Sequence, residues 1–187
     1  MKKQTLYKLT DENDCTYGGC QWGVGITVRT SGKGDLCGRG FTHWYTDPLL
    51  AVLLNPIHGD FDLRTARLWE GEGVVEKDDN GLKVGCTNAT TLRRVELPKV
   101  TTTQRVAFAI YCAQAVYRNV DFIRWADAWL TGIDRSQKTA ERAAQAAWAA
   151  QAAWAAVQAA AWAVEAKKEI DLIALARKAI MVKEVEE

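Results

Sequence analysis

Apolar and polar residues along this 187-residue chain follow two different periods, and the change comes near residue 100. Before it, short stretches alternate as strands do, broken by glycine, asparagine and aspartate. Thr5–Leu9 reads as a strand closed by a polar turn, Thr10–Asp14. Tyr17–Gly25 carries too many glycines for a helix and implies tight turns or close backbone approach. Ile26–Thr30 alternates again, and Ser31–Asp35 turns the chain. Asp47 followed by Pro48 is an N-cap with proline at the first helical position, so Pro48–Leu54 reads as a short helix stopped by Pro56 and Gly59. Arg67–Glu76 and Leu82–Leu97 alternate on either side of Asn80-Gly81, a hairpin signal. The second of them is long enough to bend near Gly85 or Asn88. Pro98 closes the region.

From Thr101 the period becomes helical. Thr102 or Thr103 can cap a helix reaching about Arg118, with Val106, Ile110, Ala113 and Tyr117 on one face. A second helix, Val120–Leu130, carries Phe122, Trp125, Ala126 and Trp129, and Gly132 ends it. Beyond Gly132 there is no further glycine or proline. Ala143–Val164 holds no charge, and 14 of its 22 residues are alanine, the strongest helix former. With Asp134 or Ser136 as its cap, one helix is therefore expected from about Ser136 to about Val182, roughly 45 residues and about 70 Å long at 1.5 Å per residue. A compact chain of this length has a radius of gyration near 16 Å, so such a rod needs company. Trp148, Trp162, Ile173 and Ile180 fall on one stripe, and Trp154 lies on a neighbouring line. The repeated Ala-Ala-Gln-Ala-Ala-Trp at 143–148 and 149–154 has a period of six, which does not fit a heptad coiled coil. The expected architecture is α+β. A β-rich module spans 1–100, a helical pair packed on it spans 101–132, and a long Ala/Trp-rich helix spans 133–187. That helix would join copies into a homo-oligomer through Trp148, Trp154, Trp162, Ile173 and Ile180.

Composition narrows the function classes. A formal net charge of +1 gives no strong general attraction to nucleic acid or anionic membrane. Five cysteines, an odd number, and a start without an apolar run behind its lysines point to reduced thiols in a cytoplasm. The alanine stretch is long enough to test as a membrane span. Its weak hydrophobicity, its glutamines Gln145, Gln151 and Gln158, and two tryptophans at interior depth argue against one.

The densest group of chemically active side chains is Leu36–Pro48. On a strand from Phe41 to Thr46, Phe41, His43 and Tyr45 would share one side and Thr42, Trp44 and Thr46 the other. Stacking from Trp44 or Tyr45, hydrogen bonds from His43 and an anion contact from Arg39 would suit a flat, polar ligand. Lys83 and Arg94 could add phosphate donors. Cys15, Cys20, Cys37 and His43 are spaced too loosely for a structural zinc site, so no metal is expected. Glu70 and Glu72, two apart on a strand, face one side. They read as a solvated face, with paired-carboxylate chemistry as the sharper alternative. No phosphate-binding glycine loop, nucleophile elbow or metalloprotease motif is present, and no cofactor is expected.

The segments Leu6-Tyr7-Lys8, Tyr17–Gly25, Leu36–Pro56, Arg67–Gly73 and Gly81–Pro98 together resemble a family of tailed-phage and prophage proteins with no assigned activity. Its members carry a Cys-Gly-x-Gly-aromatic stretch, a nearby histidine, a Pro-Leu helix and often an Ala/Trp-rich tail. Here Thr42 separates Phe41 from His43, and the tail is short on arginine. The resemblance implies a phage origin and a setting in the bacterial cytoplasm. The leading expectation is a non-catalytic accessory protein that binds a nucleotide-like ligand or a host defence protein to counter antiviral defence. The alternatives are an NAD-using enzyme like ADP-ribosyltransferases, with His43 and Tyr45 on the nucleotide and Glu70 or Glu72 at the ribose, and a structural or membrane-associated phage component.

Overall fold

A computed structural model describes residues 2–118, 120–136 and 170–184. The chain divides into two compact units, Met1–Lys99 and Val100–Glu187.

In the first unit, β1 (Gln4–Thr10) pairs antiparallel with β6 (Arg67–Gly73), and β6 with β9 (Asn88–Val95). A short β4 (Thr27–Arg29) pairs with the far side of β9. A second sheet holds β5 (Thr42–Trp44), β8 (Val84–Cys86) and β7 (Lys77–Asp78). The chain bends at Thr87, where β8 leaves one sheet and β9 begins in the other, so the long segment breaks near the expected place. The residue after β5, Tyr45, then pairs with Tyr7 of β1 through two backbone hydrogen bonds of 2.8 and 2.9 Å. Hydrogen bonding thus runs β1–β6–β9/β8–β5 and back to β1. The circuit leaves few free edges.

The hairpin expected between residues 67–76 and 82–97 forms differently. Its tip is right: Asn80 and Gly81 both have positive φ, 51° and 80°, as a tight hairpin turn demands. Only β7 and β8 flank that tip, whereas β6 pairs with β9 beyond the bend. The glycine-rich stretch becomes a small hairpin of β2 (Cys15–Thr16) and β3 (Cys20–Gln21) around a 3-10 turn, Tyr17–Gly19.

The core of this unit is Leu6, Trp22, Trp44, Val84, Cys86 and Ala89. Trp44 is fully buried and meets Trp22 edge to face at 5.2 Å. Room for it comes from β6: a Cβ at Gly71 would stand 2.9 Å from Trp44 Cζ3 and 2.4 Å from the Thr90 carbonyl oxygen. The tryptophan ring lies where β6 has no side chain. Outside the circuit, α1 (Pro48–Leu53) is capped as expected, the Asp47 carboxylate accepting from the Leu49 N–H at 2.9 Å. It buries Leu50–Leu53 and packs on β1. The four-residue α2 (Asn55–His58) follows directly.

The second unit contains α3 (Thr102–Val116), α4 (Val120–Leu130) and α5 (Leu172–Ala179). Thr101, one residue before the expected caps, starts α3 with a reciprocal capping box to Gln104. Ile110 and Ala113 of the expected face are buried, together with Ala107, Phe108 and Tyr111, while Tyr117 lies outside the helix and is exposed. The unbroken helix expected from about Ser136 to about Val182 is corrected toward its C-terminal end: Ile170 and Asp171 are not helical and precede a new helix whose first turn Asp171 caps by accepting from the Ala174 N–H. An aspartate that satisfies a free N–H in this way starts a helix rather than continuing one. The stretch 137–169, with Trp148, Trp154 and Trp162, lies outside the described residues. Ile173 and Ile180 are half-buried beside the buried stripe of α5, Leu172, Ala176 and Ala179, and α5 packs on α3. Among the described residues no helix is long and apolar enough to cross a membrane.

Gly71→Ala should therefore cost the first unit about 2–4 kcal/mol, because a methyl group there strikes both a carbonyl oxygen and the Trp44 ring. Urea unfolding followed by tryptophan fluorescence measures the loss.

Candidate functional site

Strand alternation along β5 sorts the proposed ligand contacts into two groups. Trp44 points inward, where its indole N–H donates to the Thr42 hydroxyl at 2.9 Å, and Thr42 donates to the Cys86 carbonyl at 2.9 Å. The expectation of Trp44 as a stacking surface is corrected: the ring is core and reaches no solvent. His43 and Tyr45 take the other face, as alternation predicts.

His43 is half-buried, and its Nε2 lies 2.5 Å from the Leu36 carbonyl. Burial pushes its pKa down against the pull of that carbonyl, and the charges of Lys8 and Lys83 push it further. The ring is thus neutral at pH 7. A carbonyl only accepts, so Nε2 carries the proton and Nδ1 is left as an acceptor. Tyr45 is buried and stacks on His58, the last residue of α2, with centroids 5.9 Å apart. The Tyr45 hydroxyl and His58 Nδ1 share a hydrogen bond of 3.1 Å. Burial, then the nearby charge of Lys83, drive His58 down to about 4. Burial also raises the Tyr45 phenol above its ordinary range. Lys83 is almost wholly buried and pairs with Asp79 at 3.4 Å across the hairpin tip. Tyr45 thus pairs with His58 and Lys83 with Asp79, and the charge of Lys83 acts on both His43 and His58. Among the described residues neither His43 Nδ1 nor His58 Nε2 has a hydrogen-bond partner.

Two other candidates do not join them. Arg39 sits exposed in the loop before β5, without an ion-pair partner among the described residues. Arg94 is corrected from phosphate donor to structural cation. Its Nη2 donates to Asp14 Oδ2 at 2.5 Å, and its guanidinium lies 5.3 Å over Trp69. Asp14 is the centre of that second cluster, also accepting from Arg67 at 2.5 Å and from the Trp69 indole at 3.0 Å. Burial raises its carboxyl, but Arg94, Arg67 and Trp69 outweigh burial and hold it below the usual range. Glu70 forms a two-pronged ion pair with Arg93, both contacts at 2.9 Å, and Glu72 pairs with Lys3. The carboxylates suggested for acid–base work are thus held in surface ion pairs. Among the described residues no group of three or more His, Cys, Asp or Glu could hold a metal ion.

Sequence reasoning also passed over Lys8. It shares a face with Leu6, so alternation alone turns it inward. Its Nζ lies 4.6 Å from the Trp22 ring centroid and 5.4 Å from that of Trp44, and donates to the His43 carbonyl at 2.7 Å. Burial lowers its pKa to about 8 despite the opposing influence of Cys20 and Cys86. His58 gave one usable signal: it is the only other histidine in the chain. No family model matches the chain, and neither a curated protein nor a solved structure does.

Two pH effects follow. A histidine whose folded pKa is depressed loses stability as pH falls from its unfolded value toward its folded one. His58 should therefore cost on the order of 1 kcal/mol by pH 5, since partial exposure to solvent screens part of the shift, with His43 adding in the same direction. His58→Gln should flatten that acid limb in urea titrations at stepped pH. Lys8, also depressed, works at the other end. The unfolded chain holds its proton after the folded one has lost it, so stability rises by about 1 kcal/mol from pH 8 to 9. Burial raises the Cys86 thiol to about 11, which opposes this above pH 9. Lys8→Met should abolish the rise between pH 8 and 9.

Proposed function

We propose that this chain is a phage-encoded accessory protein that acts by binding rather than by catalysis, in the cytoplasm of the infected bacterium. Its first unit takes a small, nucleotide-like ligand at the His43–Tyr45–His58–Lys83 cluster, and the purpose is interference with host antiviral defence. The observation that carries this reading is the pair of neutral histidines beside a buried lysine, each with one ring nitrogen uncommitted among the described residues. Neutral ring nitrogens and an ammonium suit a ligand with both N–H or O–H groups and an acidic group. Arg39, exposed on the loop that supplies the His43 partner Leu36, would meet the outer part of such a ligand. The setting follows from the resemblance of Leu36–Pro56 and the Ala/Trp-rich stretch to the phage family. Assembly of copies through Ala143–Val164 belongs to the same reading, since the uncharged helix expected there from the sequence would expose too much apolar surface to stand alone.

Binding to unmodified protein is the direct test. Thermal denaturation with ADP, NAD and a cyclic dinucleotide should show stabilisation by at least one of them, about 2.7 kcal/mol at a hundredfold excess over Kd. His43→Ala and Arg39→Ala should remove the shift and leave helical circular dichroism unchanged. NAD should be recovered intact after incubation with host lysate. If no probe shifts the transition and native mass spectrometry finds no retained small molecule, the ligand reading is wrong.

A further inference from the structure

The second unit holds a cavity of about 440 Å³ at the C-terminal ends of α4 and α5, beside Tyr111 of α3. Ordinary small-molecule sites span roughly 300–1,000 Å³. Three cations line it, Arg135, Lys178 and Lys183, against one carboxylate, Glu184. Among the described residues none of the three cations forms an ion pair.

Arg135 is held in place by the fold. Its Nε donates to the Trp129 carbonyl at 2.8 Å, one Nη to the Lys183 carbonyl at 2.9 Å and the other to the Leu130 carbonyl at 3.4 Å. The guanidinium also lies 4.7 Å over the Trp129 ring. These bonds use three of its five N–H donors and leave two. Lys178 Nζ stands 4.1 Å over the Tyr111 ring, and Lys183 is exposed. The helix ends pull the other way, each contributing about half a negative charge. With Glu184 added, the cations still exceed the opposing charge by about one. Glu184 is itself engaged, accepting from the Thr103 hydroxyl at 2.6 Å. A fixed guanidinium with donors to spare, two lysines and a positive balance call for an anion rich in oxygen.

We infer that this cavity binds a phosphomonoester of about mononucleotide size, its phosphate held by Arg135, Lys178 and Lys183. The site lies wholly within the second unit, and the inference does not rest on the reading of the His43 cluster. Isothermal titration of the full chain at low salt, with AMP, inorganic phosphate and adenosine, tests it. AMP and phosphate should bind and adenosine should not. The double variant Lys178→Ala/Lys183→Ala should weaken AMP about tenfold or more, while His43→Ala should leave its affinity at this site unchanged. Circular dichroism melting checks that the double variant folds. Lys183→Ala alone, beyond the end of α5, should still weaken AMP severalfold where the pair disturbs folding. The inference is overturned by absent AMP binding, by adenosine binding as well as AMP, or by folded lysine variants that keep wild-type affinity.

Discussion

A full-sized indole inside a small closed sheet can exist only where a neighbouring strand gives up its side chains. Gly71 and Gly73 on β6 do this for the face that carries Leu6, Ala89 and Trp44. A Cβ at Gly73 would stand 3.0 Å from both Ala89 Cβ and Cys86 Sγ, so the second glycine is also tightly enclosed, though less than the first. Everything else in the first unit accommodates this packing. Thr42 fixes the Trp44 indole, Trp22 closes over its edge, and the strand containing Val84 and Cys86 must bend at Thr87 to wrap the ring.

Closure between β1 and β5 is thin in backbone terms, a single Tyr7–Tyr45 bridge. Lys8 supplies the third link by donating to the His43 carbonyl from beneath two tryptophans. A buried ammonium is costly unless it is satisfied. Here one carbonyl and two ring faces meet it, and cation–π attraction strengthens as water is excluded. The same contact couples the interior to the candidate site. The residue whose carbonyl holds Lys8 is the one whose imidazole faces outward, so Lys8 and His43 position each other through a single peptide unit.

The pieces legible in the sequence are those decided within a few residues. Asp47-Pro48 started a helix, and Asn80-Gly81 made a turn. Partners distant in sequence were not legible. Nothing near Asp14 reveals that its carboxylate meets Arg67 and Arg94, and nothing near Arg94 reveals that its charge is spent there. Trp44 shows the same limit from the other side. Alternation correctly separated it from His43 and Tyr45, but only the glycines of β6, almost thirty residues on, make its face the inner one. The long-helix expectation failed for a local reason that the sequence did contain: Asp171 is a cap residue ahead of an apolar stripe, and propensity summed over the alanines hid it.

Charge and neutrality divide the two candidate sites. In the first unit burial strips charge from the imidazoles, and Asp79 answers Lys83, so the recognition proposed there would depend on hydrogen-bond direction. In the second unit the cations outnumber the carboxylate and face helix carbonyl ends that only partly cancel their charge. Neutral acceptors discriminate between ligands by the placement of protons and are insensitive to salt. Cations attract any small anion and weaken as ionic strength rises. The first arrangement is suited to choosing a ligand and the second to gathering one. A chain with both sites would have two chemically distinct modes of recognition, each built from side chains of a single unit.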